Sequence, residues 1–205
     1  MEVNKKRSVM KIMKIVVTIL IIIIVLIGIV ATVLFGMSKS AVNDYRAQAA
    51  KQLNAVINGE KVGLPVELQQ VWLANLVNPR YKRATELQSE YKELFNAARN
   101  YTAVVSIHNA IVGLHNDGAD DMKTLNGDIL ISAKKYLSTV ESYFPEETER
   151  IEKLRQLVEK IVTSTTFSDI NADLSAVLNE NEQWIAELGE QLNSRIDEFQ
   201  KKLQM

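Results

Sequence analysis

The chain has 205 residues, 47% of them hydrophobic, with 24 Lys plus Arg against 25 Asp plus Glu and no cysteine. Outside its first 14 residues it carries 19 Lys and Arg against 24 Asp and Glu, a net charge of −5, which argues against nucleic acid as a partner, since that affinity comes from clustered cations. The lack of cysteine excludes disulfide staples and zinc–thiolate sites, so stability must come from packing.

Residues 1–14 hold five cations, Lys5, Lys6, Arg7, Lys11 and Lys14, against the single acid Glu2. From Ile15 to Met37, 23 consecutive residues then lack a charged side chain. As a helix that run measures about 35 Å, enough to cross a hydrocarbon core of roughly 30 Å. It is longer than the apolar core of about 7–15 residues in a signal peptide, and Gly36-Met37-Ser38 is a poor cleavage match, so a retained, single-pass signal-anchor is expected. Lys39, Asp44 and Arg46 nearly balance on the far side, and the positive-inside bias therefore leaves the N-terminus cytoplasmic. The expected organisation is a basic cytoplasmic tail (1–14), a transmembrane helix in the cell membrane (15–37) and an extracytoplasmic helical bundle (38–205), with the lipid bilayer as the first partner. Along the span, Gly28, Thr32, Gly36 and Ser40 recur every fourth residue. They form a stripe where another helix can approach closely, a candidate helix-association surface.

Beyond the span, breakers mark the helices. Ala41–Ile57 continues as helix, and Asn58-Gly59 supplies a left-handed stop. Pro65 suits a first helical position, and Leu68, Trp72, Leu73, Leu76 and Val77 predict a short amphipathic helix that buries Trp72 and closes at Asn78-Pro79. Asn78 is expected to cap the next helix, with Pro79 at its start. From Ala84 a seam of Leu87, Tyr91, Leu94, Ala98, Tyr101, Val105, His108, Val112 and His115 keeps heptad spacing until Gly118, predicting coiled-coil-like packing. Asp120–Tyr143 reads as a further helix, interrupted at Asn126-Gly127 and ended by Pro145. Pro145-Glu146-Glu147 opens the next, whose stripe is Ile151, Leu154, Val158 and Ile161. Thr163–Phe167 reads as loop, and Ser168 or Asp169 is expected to cap a last long helix that buries Leu174, Trp184, Leu192 and Phe199. The predicted class is all-α, an elongated antiparallel helical bundle behind one transmembrane helix. Pairing of the long helices between chains is the alternative, because heptads do not reveal whose helix is the partner.

The chemistry is sparse. His108 and His115 lie about 10.5 Å apart along one helix, too far to chelate one ion together. They are candidates for a pH or ligand point, with His115 the more exposed. The turn His115-Asn116-Asp117-Gly118-Ala119-Asp120-Asp121 is rich in oxygen ligands but lacks calcium-loop spacing. No nucleophile elbow, phosphate loop, H-E-x-x-H or dinucleotide fingerprint occurs, so no catalytic residue, metal or cofactor is assigned and no enzyme is expected. No ordered signature assigns a family. The function expected is a non-enzymatic, membrane-anchored scaffold or adaptor that binds envelope proteins or copies of itself through helix faces. The alternative is a ligand- or ion-sensing bundle acting through a partner protein.

Overall fold

The computed structural model describes the backbone of residues 2–116 and 125–204 and the side chains of 13–116 and 127–204. The side chains of Lys5, Lys6, Arg7 and Lys11, and all of residues 117–121 of the oxygen-rich turn, lie outside what is described. All elements described are helical, and no strand occurs among them. The chain forms two compact units, Met1–Gln48 with Val66–Gln88, and Ala49–Pro65 with Ser89–Gln204.

The first helix, α1, runs from Glu2 to Ile57. From Met13 on it is long and apolar enough to cross a membrane, with mean hydropathy 3.4 in its most apolar stretch and none of that stretch buried by the rest of the chain. It stops where Asn58-Gly59 predicts. Gly59 takes φ 79°. Its N–H donates to the Val56 carbonyl, and the Glu60 N–H donates to that of Ala55, both at 2.9 Å. These two bonds close the helix end in a Schellman pattern that only glycine adopts without strain.

In the first unit, α2 (Trp72–Val77) and α3 (Pro79–Glu86) follow a non-helical stretch. The helix expected from Pro65 is thus only six residues long. In the non-helical stretch before it, the Tyr81 hydroxyl donates to the Gln69 carbonyl and the Gln88 amide to that of Leu68, which satisfies two acceptors that have no helical partner. Without a continuous helix, Leu68 and Trp72 do not share a face. Leu68 is buried, but Trp72 is 68% exposed, so the expected burial of Trp72 is corrected.

Asn78 caps α3 as its sequence predicts, with Oδ1 accepting from the backbone N–H of Arg80 at 3.1 Å and of Tyr81 at 3.4 Å. Its Nδ2 donates to Ser38 Oγ at 2.8 Å, tying α2 and α3 to α1. Asn78→Ala should therefore cost about 2 kcal/mol, a cap plus a buried hydrogen bond. Asn78→Ser keeps a cap acceptor and should fall midway between the wild type and Asn78→Ala, as read from denaturant midpoints of the full chain in detergent.

In the second unit, α4 (Gln88–Asn116) carries the seam. A one-residue break at Leu87 separates it from α3, where a single helix was expected. Tyr91, Leu94, Ala98 and His108 are buried as expected, and Phe95, Val104, Ile107 and Ile111 widen the seam to a full face. A π-helical turn at Leu125–Ile129 contains the Asn126-Gly127 interruption and leads into α5 (Leu130–Tyr143). The next helix, α6 (Thr148–Thr163), opens three residues later than Pro145 suggests. Ser168 and Asp169, expected to cap the last long helix, instead lie in a separate 3-10 turn, Phe167–Asp169, which Thr166 caps and in which the Asp169 carboxylate accepts from Thr166 N–H at 3.0 Å. Finally α7 (Asn171–Gln204) buries Leu174, Trp184, Leu192 and Phe199. The core joins α4, α5, α6 and α7 around Ile129, Tyr136, Leu154, Ile161, Ile170 and Leu174.

Candidate functional site

Two places gather polar groups beside apolar ones. In the first unit, the Ser38–Asn78 hydrogen bond holds the segment 66–81 against residues 34–48 of α1 and leaves a cleft of about 440 Å³. Leu34, Met37, Ala41, Val71 and Ala74 give it apolar walls, while Asp44, Tyr45 and Gln48 add polar groups. A smaller recess of about 140 Å³ is lined by Phe35, Lys39, Asn78 and Arg80. The Arg46 guanidinium is held below the ordinary arginine range, first by burial and then by the like charge of Arg80. Its Nε is buried without a hydrogen-bond partner among the described residues.

In the second unit, a polar knot sits inside the core. The guanidinium of Arg150 on α6 lies 4.4 Å from the ring centre of Trp184 on α7, and its Nη1 donates to Asn181 Oδ1 at 2.7 Å. Phe144 meets the same indole edge-on at 5.2 Å. His108 packs on Tyr136 with ring centres 6.1 Å apart. Burial pushes the Tyr136 phenol above the usual tyrosine range, with Arg150 pulling weakly the other way, so the phenol stays neutral. Neither Asn181 nor Arg150 was expected from the sequence; the spacing of Asn181 with Leu174, Leu178 and Ile185 could have marked it as a buried polar position, whereas Arg150 carries no such signal.

The two histidines part company. His108 is 5% exposed, and its Nδ1 has no partner among the described residues. His115 is half-buried, its ring tilted by 49° against that of Phe167 with centres 5.9 Å apart, and its Nε2 lies within 2.9 Å of Asn171 Oδ1 and 3.0 Å of Ser175 Oγ. They therefore belong to separate surroundings. Among the described residues no three His, Asp or Glu side chains converge to hold a metal.

Burial lowers the pKa of His108 from its ordinary 6.5, against the opposing pull of Glu182. Between the lowered folded value and 6.5 the unfolded chain binds the proton that the folded chain refuses. Stability is thus complete above about pH 6.5 and falls as pH drops below it, by at most about 1.4 kcal/mol per pH unit from this group. Denaturant midpoints at pH 7.5 and 5.5 should show that loss in the wild type and a smaller one in His108→Phe.

Gly28, Thr32, Gly36 and Ser40 are all exposed on α1. A Cβ added at Gly28 or Gly36 meets nothing within 4 Å, and the Thr32 hydroxyl is used locally, donating to the Gly28 carbonyl at 2.8 Å. Compared with known proteins, the chain matches no family model, and no curated protein or solved structure is significantly similar to it.

Proposed function

We propose that the protein is a non-enzymatic scaffold or adaptor, anchored by α1 with its N-terminus cytoplasmic and its helical domain extracytoplasmic. The supporting observation is the distribution of apolar surface. The helices of the second unit bury apolar residues in one shared core, which supports a bundle, and we propose that its long helices pack antiparallel in a coiled-coil-like manner. Most of the run Ile15–Met37 and the residues Trp72 and Leu76 remain uncovered among the described residues. Apolar area of that extent marks an interaction surface. The partners are the bilayer and, through helix faces, envelope proteins or a second copy of this chain.

Chemical crosslinking in intact membranes followed by capture of the tagged chain tests this reading. Recovery of self-linked species or of discrete partners supports it, and monomer alone with several crosslinkers overturns it. Because the Gly28 and Gly36 positions face open space, Gly28→Leu with Gly36→Leu should leave the fold intact and abolish self-linked species if the stripe carries self-association.

The apolar cleft with Asp44, Tyr45 and Gln48 favours a second reading, a sensing bundle that passes a ligand signal to a partner protein. A small molecule that raised the unfolding temperature in wild type, but not after Ala41→Phe filled the cleft, would favour it.

A further inference from the structure

We infer that α2 is a second membrane contact, an interfacial foot whose Trp72 and Leu76 seat in the phospholipid surface beside the point where α1 leaves the bilayer. The inference rests on the reading of α1 as a membrane anchor. Its first support is position. Asn78, the residue that ends α2, donates to Ser38 Oγ at 2.8 Å, and Ser38 directly follows the last residue of the apolar run. Val71 and Ala74 share a cleft with Leu34 and Met37, so α2 stands level with the end of the span. A run of 23 residues rises about 35 Å against a hydrocarbon core of roughly 30 Å, which puts Leu34–Met37 at headgroup depth.

The second support is chemistry. Trp72 and Leu76 are four residues apart on one helical face, 68% and 71% exposed, with Val71 and Leu73 each 38% exposed beside them. Tryptophan concentrates at membrane–water boundaries because its ring is apolar and its N–H stays hydrated. Lys39 and Arg80 line the recess with Phe35 at the same level, and cations there attract lipid phosphates. A short amphipathic face with aromatic and aliphatic tips, bordered by cations, is what an interfacial element requires.

Tryptophan fluorescence of the full chain in phosphatidylcholine vesicles tests this, using lipids brominated either near the headgroup or deep in the acyl chain. Trp184 is buried in the second unit and supplies a constant background, so the difference between wild type and W72F reports on Trp72. The expected result is that shallow bromines remove at least half of the Trp72 signal and deep bromines remove less. A W72F/I24W variant reports on the span, since Ile24 is 64% exposed in the apolar run. Deep quenching of I24W with no quenching of Trp72 overturns the foot and leaves the anchor standing. No quenching of either overturns the anchor, and the foot with it.

Discussion

Tyr91→Ala is expected to destabilise the second unit by about 4 kcal/mol, in the range for deleting a large buried aromatic. Tyr91 is fully buried, and its ring stacks on Phe199 of α7 with centres 6.0 Å apart and planes 26° apart. Phe95, one turn further along α4, lies at the same 6.0 Å. The hydroxyl donates to Gln52 Oε1 on α1, so one side chain ties three helices of this unit. Truncation leaves a cavity that three separate backbones would have to close, and helices joined at distant points of the sequence relax little. In a domain of this size each kcal/mol moves the melting temperature by about 2–4 °C, so a loss of roughly 10 °C should appear in circular dichroism. Tyr91→Phe keeps the stack and gives up the hydroxyl's bond to Gln52, and should lose about 1 kcal/mol. A Tyr91→Ala variant within 1 kcal/mol of wild type would show that the stack does not hold these helices together.

What the sequence made legible was backbone chemistry. Asn58-Gly59, Asn78-Pro79 and Pro145 each stop or start a helix within a few residues of expectation, because a left-handed φ, a cap acceptor and a missing N–H act locally. The apolar face of α4 was legible in part: heptad spacing found Tyr91, Leu94 and Ala98 but undercounted a face that also buries Phe95 and Val104. The break at Leu87 left no trace, since no glycine or proline marks it and Ala84 and Tyr91 stay in phase across it. Trp72 was misread because periodicity presupposes an unbroken helix. The Tyr81 and Gln88 side chains that occupy the Gln69 and Leu68 carbonyls come from 12 and 20 residues further along the chain. Long-range bonding of that kind has no local signature. The same holds for the polar knot: Arg150 looks like any surface cation of α6 until α7 is laid beside it.

Arg150→Ala is the second large effect, expected to cost about 3 kcal/mol. The guanidinium does three things at once. It covers the face of Trp184, an interaction worth about 1 kcal/mol when half-buried. Its Nη1 satisfies Asn181 Oδ1, a charge-assisted bond worth about 1.5–3 kcal/mol. Its Nε lies 3.4 Å from Glu147 Oε2, an ion-pair contact without hydrogen-bond alignment, and the two side chains are 19% and 33% exposed, so that contact adds little. The dominant loss is therefore Asn181, which is 1% exposed and would keep a buried carbonyl with nothing to accept from. This predicts an asymmetry. Arg150→Met should retain apolar cover over the indole yet still lose about 2 kcal/mol, because Asn181 stays orphaned. Asn181→Leu added to Arg150→Met should return much of that loss, since removing both partners of a buried polar contact costs far less than removing one. Denaturant unfolding of the two single variants and the double variant closes the cycle, with an expected coupling of about 1–2 kcal/mol. A coupling near zero would mean that Arg150 stabilises α6 and α7 through Trp184 alone, and that Asn181 finds its hydrogen bonds elsewhere.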